Sequence, residues 1–215
     1  QLAAINRETR ELVDIQYNTY NRSLLPQLKG QGIHILPGHE DMTGEQAEYV
    51  DRYFQETVYP VLTPMAVDAS RPFPLIRNKS LNIAALLKKK GKQEKEEIEF
   101  ATVQVPSVLD RLVPLPAGAE GERAFLLLEQ VIERNIQQLF LNYDVLCAYP
   151  YRIMRNADLT IDEDEAEDLL KEIQKQLKKR QWGEAIRLEV AERMDKRLLA
   201  VLEEELHIAK EDLYK

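Results

Sequence analysis

The sequence has little of what marks secreted or membrane proteins. It has one cysteine, Cys147, so no disulfide can form within the chain. No apolar run approaches the roughly 18–20 residues that a membrane helix needs. The first residues, QLAAINRETRELVD, lack the basic and then apolar pattern of a signal peptide. They also begin without Met and within a helical pattern, which indicates a fragment of a longer chain. We therefore expect a cytoplasmic protein with no membrane span.

Several motifs that bind nucleotides or metals are also missing. None of the eight glycines lies in a GxxxxGK[ST] or GxGxxG pattern. No Cys/His group has zinc spacing. The acidic run at 162–165 lacks the glycine and the terminal glutamate spacing of an EF-hand, and it is typical of the first turn of a helix. We expect no metal and no cofactor within this chain.

The charge balance is acidic, which narrows the class of partner. The chain has 37 Asp and Glu against 29 Lys and Arg, for a formal net charge of −8 over 215 residues. A general nucleic-acid binder would carry a basic surface, so no nucleic-acid partner is expected. The hydrophobic fraction of 44% is ordinary for a globular domain with a sizeable core.

The N-terminal part reads as helical. Residues 2–29 carry an apolar stripe at helical spacing, which we call the N-terminal stripe and define as Ile5, Leu12, Tyr20 and Leu24. Pro26 is expected to kink the last turn of this helix or to end it early. Thr43 and Gln46 form a capping-box pattern that predicts a second helix over 44–58.

A proline-rich stretch, 59–87, joins this part to a mixed back part. Prolines should stop the helix at Tyr59 and keep the chain extended until Ser80. Strands are predicted at 81–88 and 98–106, joined as a hairpin around Gly91, and at 123–127, 144–156 and 184–190, while 112–116 continues extended. Helices are predicted at 128–140, 163–180 and 194–206. Pro150 should mark an edge or a bulge of its strand. The pattern predicts an α+β fold, a mixed sheet with packed helices preceded by a helical N-terminal extension, divided into residues 1–60 and 61–215.

Four stretches carry a resemblance to a known family. They are PVLTPMAVDASRPFPLIRNKSLNIA (60–84), FATVQVPSVLDRLVPLP (100–116), FLLLEQVIERNIQQLF (125–140) and YPYRIMRNADLTIDEDEAEDLL (149–170). In this order they resemble the middle, or head, domain of bacterial polyphosphate kinases. The family moves the terminal phosphate of ATP onto polyphosphate.

The resemblance implies a parent enzyme that is a transferase using ATP and Mg²⁺. It also implies that catalysis proceeds through a phosphorylated histidine on later phospholipase-D-like domains, which this chain does not contain. We therefore expect no catalytic residue here, and an inactive fragment with a structural role. The implied partners are the remaining domains of the same chain and a second subunit, since the family resemblance implies a homodimer. The N-terminal stripe is our candidate for part of a contact surface.

Four basic residues are weak candidates for a substrate contact. They are Arg71, Arg77 and Lys79 near the proline-rich stretch, and Arg155 in YPYRIMRN. Arginine suits bidentate phosphate contacts, so convergence of the four would predict a minor phosphate-facing patch. Ion pairing with the excess carboxylates of the chain is the simpler interpretation.

Two alternatives of other classes remain open from the sequence. The first is a stand-alone small enzyme acting on phosphate esters or phosphohistidine, with His34 or His39 as acid/base. It would require one of these histidines in a pocket lined by arginine. The second is a scaffold module unrelated to phosphate.

Overall fold

The computed structural model describes residues 1–67, 73–91, 98–116, 118, 121–156 and 183–215. The predicted helix 163–180 lies outside the described residues, as does the tip of the hairpin at 92–97. The α-helices of the described part are α1 (Leu2–Thr19), α2 (Leu25–Gly30), α3 (Gly44–Tyr53), α4 (Leu128–Asn135) and α5 (Lys196–Leu206). Single π or 3₁₀ turns extend several of them, at Tyr20–Leu24, Phe54–Val58, Tyr59–Val61 and Ile136–Leu139.

Nine strands of the described part form two sheets. They are β1 (Ile33–Ile35), β2 (Pro64–Val67), β3 (Leu81–Lys89), β4 (Ile98–Gln104), β5 (Leu112–Leu115), β6 (Arg123–Leu127), β7 (Tyr143–Arg155), β8 (Ala185–Val190) and β9 (Leu213–Tyr214). One sheet has the order β1-β6-β5, and the other has the order β2-β4-β3-β7-β8-β9. Helices and sheets are thus mixed without strict alternation, and the α+β class is confirmed.

The chain divides into two compact units. Unit 1 comprises Gln1–Val61 and Pro106–Asn135, and unit 2 comprises Leu62–Val105 and Ile136–Lys215. Residues 106–135 belong to unit 1 because β6 pairs in parallel with β1 and antiparallel with β5. The predicted division into 1–60 and 61–215 did not place residues 106–135 with the N-terminal part. As a division into domains it remains a prediction.

Unit 1 is built on a capped helix and its neighbours. The Oγ1 atom of Thr43 accepts a hydrogen bond from the Gln46 N–H at 3.3 Å, and the Gln46 side chain accepts one from the Thr43 N–H at 3.1 Å. The predicted capping box is therefore confirmed. On the buried side of α3 and the following turn, Val50, Phe54 and Val58 are fully buried.

Unit 2 is built on β3, which is buried on both faces, as its apolar pattern predicts. β3 pairs antiparallel with β4 and β7. Side chains of the sheet, of α5 and of the segments that precede β3 and α5 form one apolar cluster. It comprises Ile76, Ala84, Leu86, Phe100, Tyr151, Ile153, Leu188, Val190, Met194, Leu198, Leu202 and Leu206. Within it the Tyr151 hydroxyl lies 2.9 Å from Thr102 Oγ1, so each buried hydroxyl has a partner.

Three proline positions refine the predicted pattern. Pro26 does not end the N-terminal helix. A π turn at Tyr20–Leu24 precedes it, since proline donates no N–H to the preceding turn, and α2 then continues to Gly30. Pro64 begins β2, an edge strand that the sequence pattern did not predict. Pro150 pairs with β3 on one side, while the pairing of β7 with β8 begins only at Tyr151. Pro150 therefore marks a local edge, and the bulge lies nearer Leu146.

Candidate functional site

In unit 2, several side-chain hydrogen bonds hold the turn Arg77–Ser80, which precedes β3. The Arg77 carbonyl accepts hydrogen bonds from the Ser80 N–H at 3.3 Å and from the Ser80 hydroxyl at 2.8 Å. The side-chain amide of buried Asn82 donates to the Ser80 carbonyl at 3.0 Å and to its hydroxyl at 3.1 Å. Lys79 adopts a left-handed conformation with φ of +60°, uncommon for a residue other than glycine.

The end of β7 holds this turn from its other side. The Lys79 N–H donates to the Ile153 carbonyl at 2.9 Å, and the Asn78 side chain accepts from the Arg155 N–H at 2.9 Å. The Arg155 guanidinium donates through Nε to the Ile76 carbonyl at 2.9 Å and through Nη1 to the Gly183 carbonyl at 2.8 Å. Arg155 therefore joins three separate segments of the chain.

The structure thus brings three of the four predicted basic residues to one place, while Arg71 lies outside the described residues. The Arg77 and Lys79 side chains are exposed and form no ion pair with a described residue. Within the described part of the chain Arg155 binds carbonyls rather than carboxylates, and burial lowers the pKa of its guanidinium. Nearby on the same sheet, Arg152 and Arg187 both pair with Glu189. Ion pairing, the simpler interpretation of the basic residues, is therefore present at Arg152 and Arg187. At the turn, no described carboxylate forms such a pair.

His34 and His39 each lie near a glutamate carboxylate. His34 Nε2 lies 3.6 Å from Glu122 Oε1 and has no hydrogen-bond partner in the described part of the chain. The Gln130 side-chain oxygen accepts a hydrogen bond from the His39 N–H at 3.2 Å and lies 3.2 Å from His39 Nδ1. Glu40 is 4.0 Å from the same ring nitrogen. These surroundings offer carboxylates where a phosphate-handling histidine would need cations, so they do not favour the stand-alone enzyme.

Sequence reasoning missed a carboxyl that the fold perturbs strongly. Burial, together with the carboxylates of Glu129 and Glu40, raises the pKa of Glu133 to about 8. The Gln130 amide donates a hydrogen bond to Glu133 Oε2 at 2.5 Å. Glu129 is itself buried and is neutralised by Arg111, whose Nη2 lies 2.6 Å from Glu129 Oε1. The sequence did contain a signal for this pair. Glu129 and Glu133 are four residues apart on one helix, so they are neighbours on its surface, and each follows an inward-facing residue.

The predicted N-terminal stripe is exposed among the residues that the structure describes. Leu12 is 67% exposed and Ile5 is 57% exposed, and Leu24 and Tyr20 are exposed too. Neighbouring Ile15 and Tyr17 add to the uncovered apolar surface. A row of exposed apolar side chains of this extent is typical of an interaction surface.

The described residues include neither a membrane-spanning helix nor a cluster of metal-ligating side chains. No described helix has both the length and the apolarity that crossing a membrane requires. Nor do any three His, Cys, Asp or Glu side chains of the described part meet in a way that could hold a metal ion. The single thiol, Cys147, is half-buried in β7, and burial raises its pKa, which makes it a poor nucleophile.

Comparison with known proteins identifies the family. Residues 45–215 match the family model described as the polyphosphate kinase middle domain. The chain is similar to polyphosphate kinases of Bacillus anthracis (48% identity over 216 residues, 100% of this chain and 30% of the relative) and Mycobacterium avium (36% over 215 residues, 97% and 29%). It thus spans about 30% of the length of these two relatives.

A solved structure has the same fold. The crystal structure of the polyphosphate kinase from Porphyromonas gingivalis matches with a TM-score of 0.73 and 24% identity, over 98% of this chain and 30% of that chain. The resemblance carried by the four stretches between residues 60 and 170 is confirmed by the family match over 45–215. The chain therefore belongs to the polyphosphate kinase family, whose middle domain it contains.

Proposed function

We propose that this chain is the middle domain of an enzyme that transfers the terminal phosphate of ATP to inorganic polyphosphate. The observation that carries the proposal is the similarity to polyphosphate kinases along the whole chain, at up to 48% identity. The parent would use ATP and Mg²⁺ and work in the cytoplasm. The phosphohistidine that the resemblance implies would lie in the remaining domains of the parent chain.

The role of this segment in the parent is structural. The described residues form two units built on sheets and packed helices, and the acidic surroundings of His39 are unsuited to holding phosphate. The test compares the full-length enzyme with this chain alone, measuring polyphosphate formed from ATP. We expect synthesis by the full-length enzyme and none by the isolated chain. Synthesis by the isolated chain would refute the structural role, and none by the full-length enzyme would refute the proposed activity.

The second part of the proposal concerns the homodimer. The N-terminal stripe is exposed here, and burying it against a second subunit would remove apolar surface from water. In the full-length enzyme, Leu12→Asp with Leu24→Asp should shift sedimentation towards the monomer. Leu75→Asp with Leu141→Asp, at leucines that are also exposed, is the matched control and should leave the dimer intact. Equal effects of the two pairs, or none from the first, would contradict this role of the stripe.

A further inference from the structure

Arg155 is a partly buried cation without a counter-ion among the described residues. Its guanidinium donates to two backbone carbonyls, of Ile76 and Gly183, and no described carboxylate contacts it. Removing a cation from water is costly unless a charge of the opposite sign compensates it. Burial lowers the pKa of Arg155, which agrees with this lack of compensation, although the group remains charged.

Directly beside Arg155, the turn presents two more cations to solvent. Arg77 and Lys79 are exposed, lie two residues apart, and pair with no described carboxylate. In a chain with a net charge of −8, three neighbouring cations without described acidic partners form a local positive field. The turn is also fixed in shape, because hydrogen bonds from Asn82, Ser80 and Arg155 hold its backbone and side chains.

We propose that the turn Arg77–Ser80 binds a phosphate oxyanion through the side chains of Arg77 and Lys79, with Arg155 positioning the turn and adding its charge. An anion there would supply the negative charge that the described residues do not. Guanidinium and ammonium groups both bind phosphate oxygens by charge-assisted hydrogen bonds. The identification of the ligand as polyphosphate, rather than the phosphates of a nucleotide, rests on the function proposed above.

The positioning role of Arg155 follows from its contacts. Its N–H meets the Asn78 side chain and its Nε meets the Ile76 carbonyl, so it holds the residues on either side of Arg77. Lys79 is held in its left-handed conformation by the bond from its N–H to the Ile153 carbonyl. A preformed turn binds more tightly because less conformational entropy is lost on binding.

The test is a titration of the chain by isothermal calorimetry. Linear polyphosphate, ATP and sulfate are the ligands, each at low and at high salt. The variant is Arg77→Gln with Lys79→Asn, since asparagine tolerates the left-handed conformation and the turn is kept. The control is Arg193→Gln with Lys196→Gln, which removes the same charge from exposed cations of the same unit. Circular dichroism checks that both variants are folded.

We expect the variant to weaken polyphosphate binding at least about tenfold, as for the loss of charge-assisted hydrogen bonds, and the control to stay within about twofold. A larger loss for ATP than for polyphosphate would support the site and assign it to the phosphates of a nucleotide. Equal weakening by both variants, or no saturable phosphate binding by the unmodified chain, would overturn the inference. The same two substitutions in the full-length enzyme distinguish this site from the proposed function. If the full-length enzyme makes polyphosphate but the turn binds no phosphate, the proposed function remains and only the site is refuted.

Discussion

Gly183 lies so close to the backbone of Asn156 that the structure leaves no room there for a side chain. It lies two residues before β8, and its carbonyl accepts a hydrogen bond from Arg155 Nη1 at 2.8 Å. A Cβ built on Gly183 would lie 2.2 Å from the Asn156 carbonyl oxygen and 3.2 Å from its carbon. We therefore predict that Gly183→Ala destabilises unit 2.

The magnitude follows from how far the backbone must move. Real Cβ atoms essentially never approach closer than 3.0 Å, so the two segments must separate by at least 3.0 − 2.2 = 0.8 Å. The hydrogen bond from the Asn156 N–H to the Glu184 carbonyl, at 2.8 Å, and that from Arg155 to Gly183 would both stretch beyond useful length. At about 1 kcal/mol for the neutral bond and about 2 kcal/mol for the charged one, the free energy of unfolding should fall by about 2–4 kcal/mol.

Thermal and urea denaturation of the chain measure this loss, which corresponds to a fall in Tm of roughly 5–15 °C. Gly38→Ala is the matched control, since its Cβ would also meet an atom at 2.3 Å, but that atom belongs to the exposed, movable Glu40 carboxylate. Gly30→Ala, with nothing within 4 Å and a helical position, should stabilise by up to about 1 kcal/mol. If the Gly183→Ala and Gly38→Ala variants had the same Tm, Gly183 would not approach Asn156 so closely in solution.

Three further predictions concern polar groups of the two units. Glu133 has a folded-state pKa of about 8 against an unfolded value near 4.5, so the folded state binds the proton more tightly and stability falls as the pH rises through this window. At about 1.4 kcal/mol per pKa unit, Glu133→Gln should therefore gain about 4 kcal/mol of stability over the unmodified chain between pH 5 and pH 9 in urea titrations, while Glu56→Gln, at an exposed site, should not change the slope. Tyr151→Phe leaves Thr102 without its partner and should cost about 1–3 kcal/mol in thermal denaturation, and adding Thr102→Val should recover part of that loss, whereas additive costs would contradict the pairing. Thr43→Ala should cost about 1 kcal/mol by removing the capping box, and Thr43→Ser should not; equal losses in urea denaturation would refute this.

Local signals in the sequence predicted the local structure well. The capping box at Thr43 and the antiparallel pairing of strands 81–88 and 98–106 both depend on residues close along the chain. Strand 123–127 was predicted with the bounds that β6 has, since apolar residues follow a charged start and a helix pattern follows. Such features are fixed by capping and by periodicity, which can be read from a few neighbouring residues.

The pairings between distant segments could not be predicted in the same way. β1 has three residues, too few to show a period, and its parallel pairing with β6 joins residues 90 positions apart. Arg155 likewise meets backbone carbonyls at 76 and 183, and a carbonyl leaves no trace in the residue type. The sequence pattern therefore pointed to a group of basic residues, but it could not show that Arg155 would bind the backbone.

Two of the four stretches that carry the family resemblance, 60–84 and 149–170, meet at the Arg77–Ser80 turn. Their similarity to other polyphosphate kinases could reflect the backbone that they must build or the anion that the turn would bind, and the sequence alone does not separate these causes. The two experiments do, because Gly183→Ala disturbs the backbone and keeps every charge, while Arg77→Gln with Lys79→Asn removes charge and keeps the turn. If the first changes stability and the second changes only phosphate affinity, the same few residues serve both purposes, and Arg155 connects them.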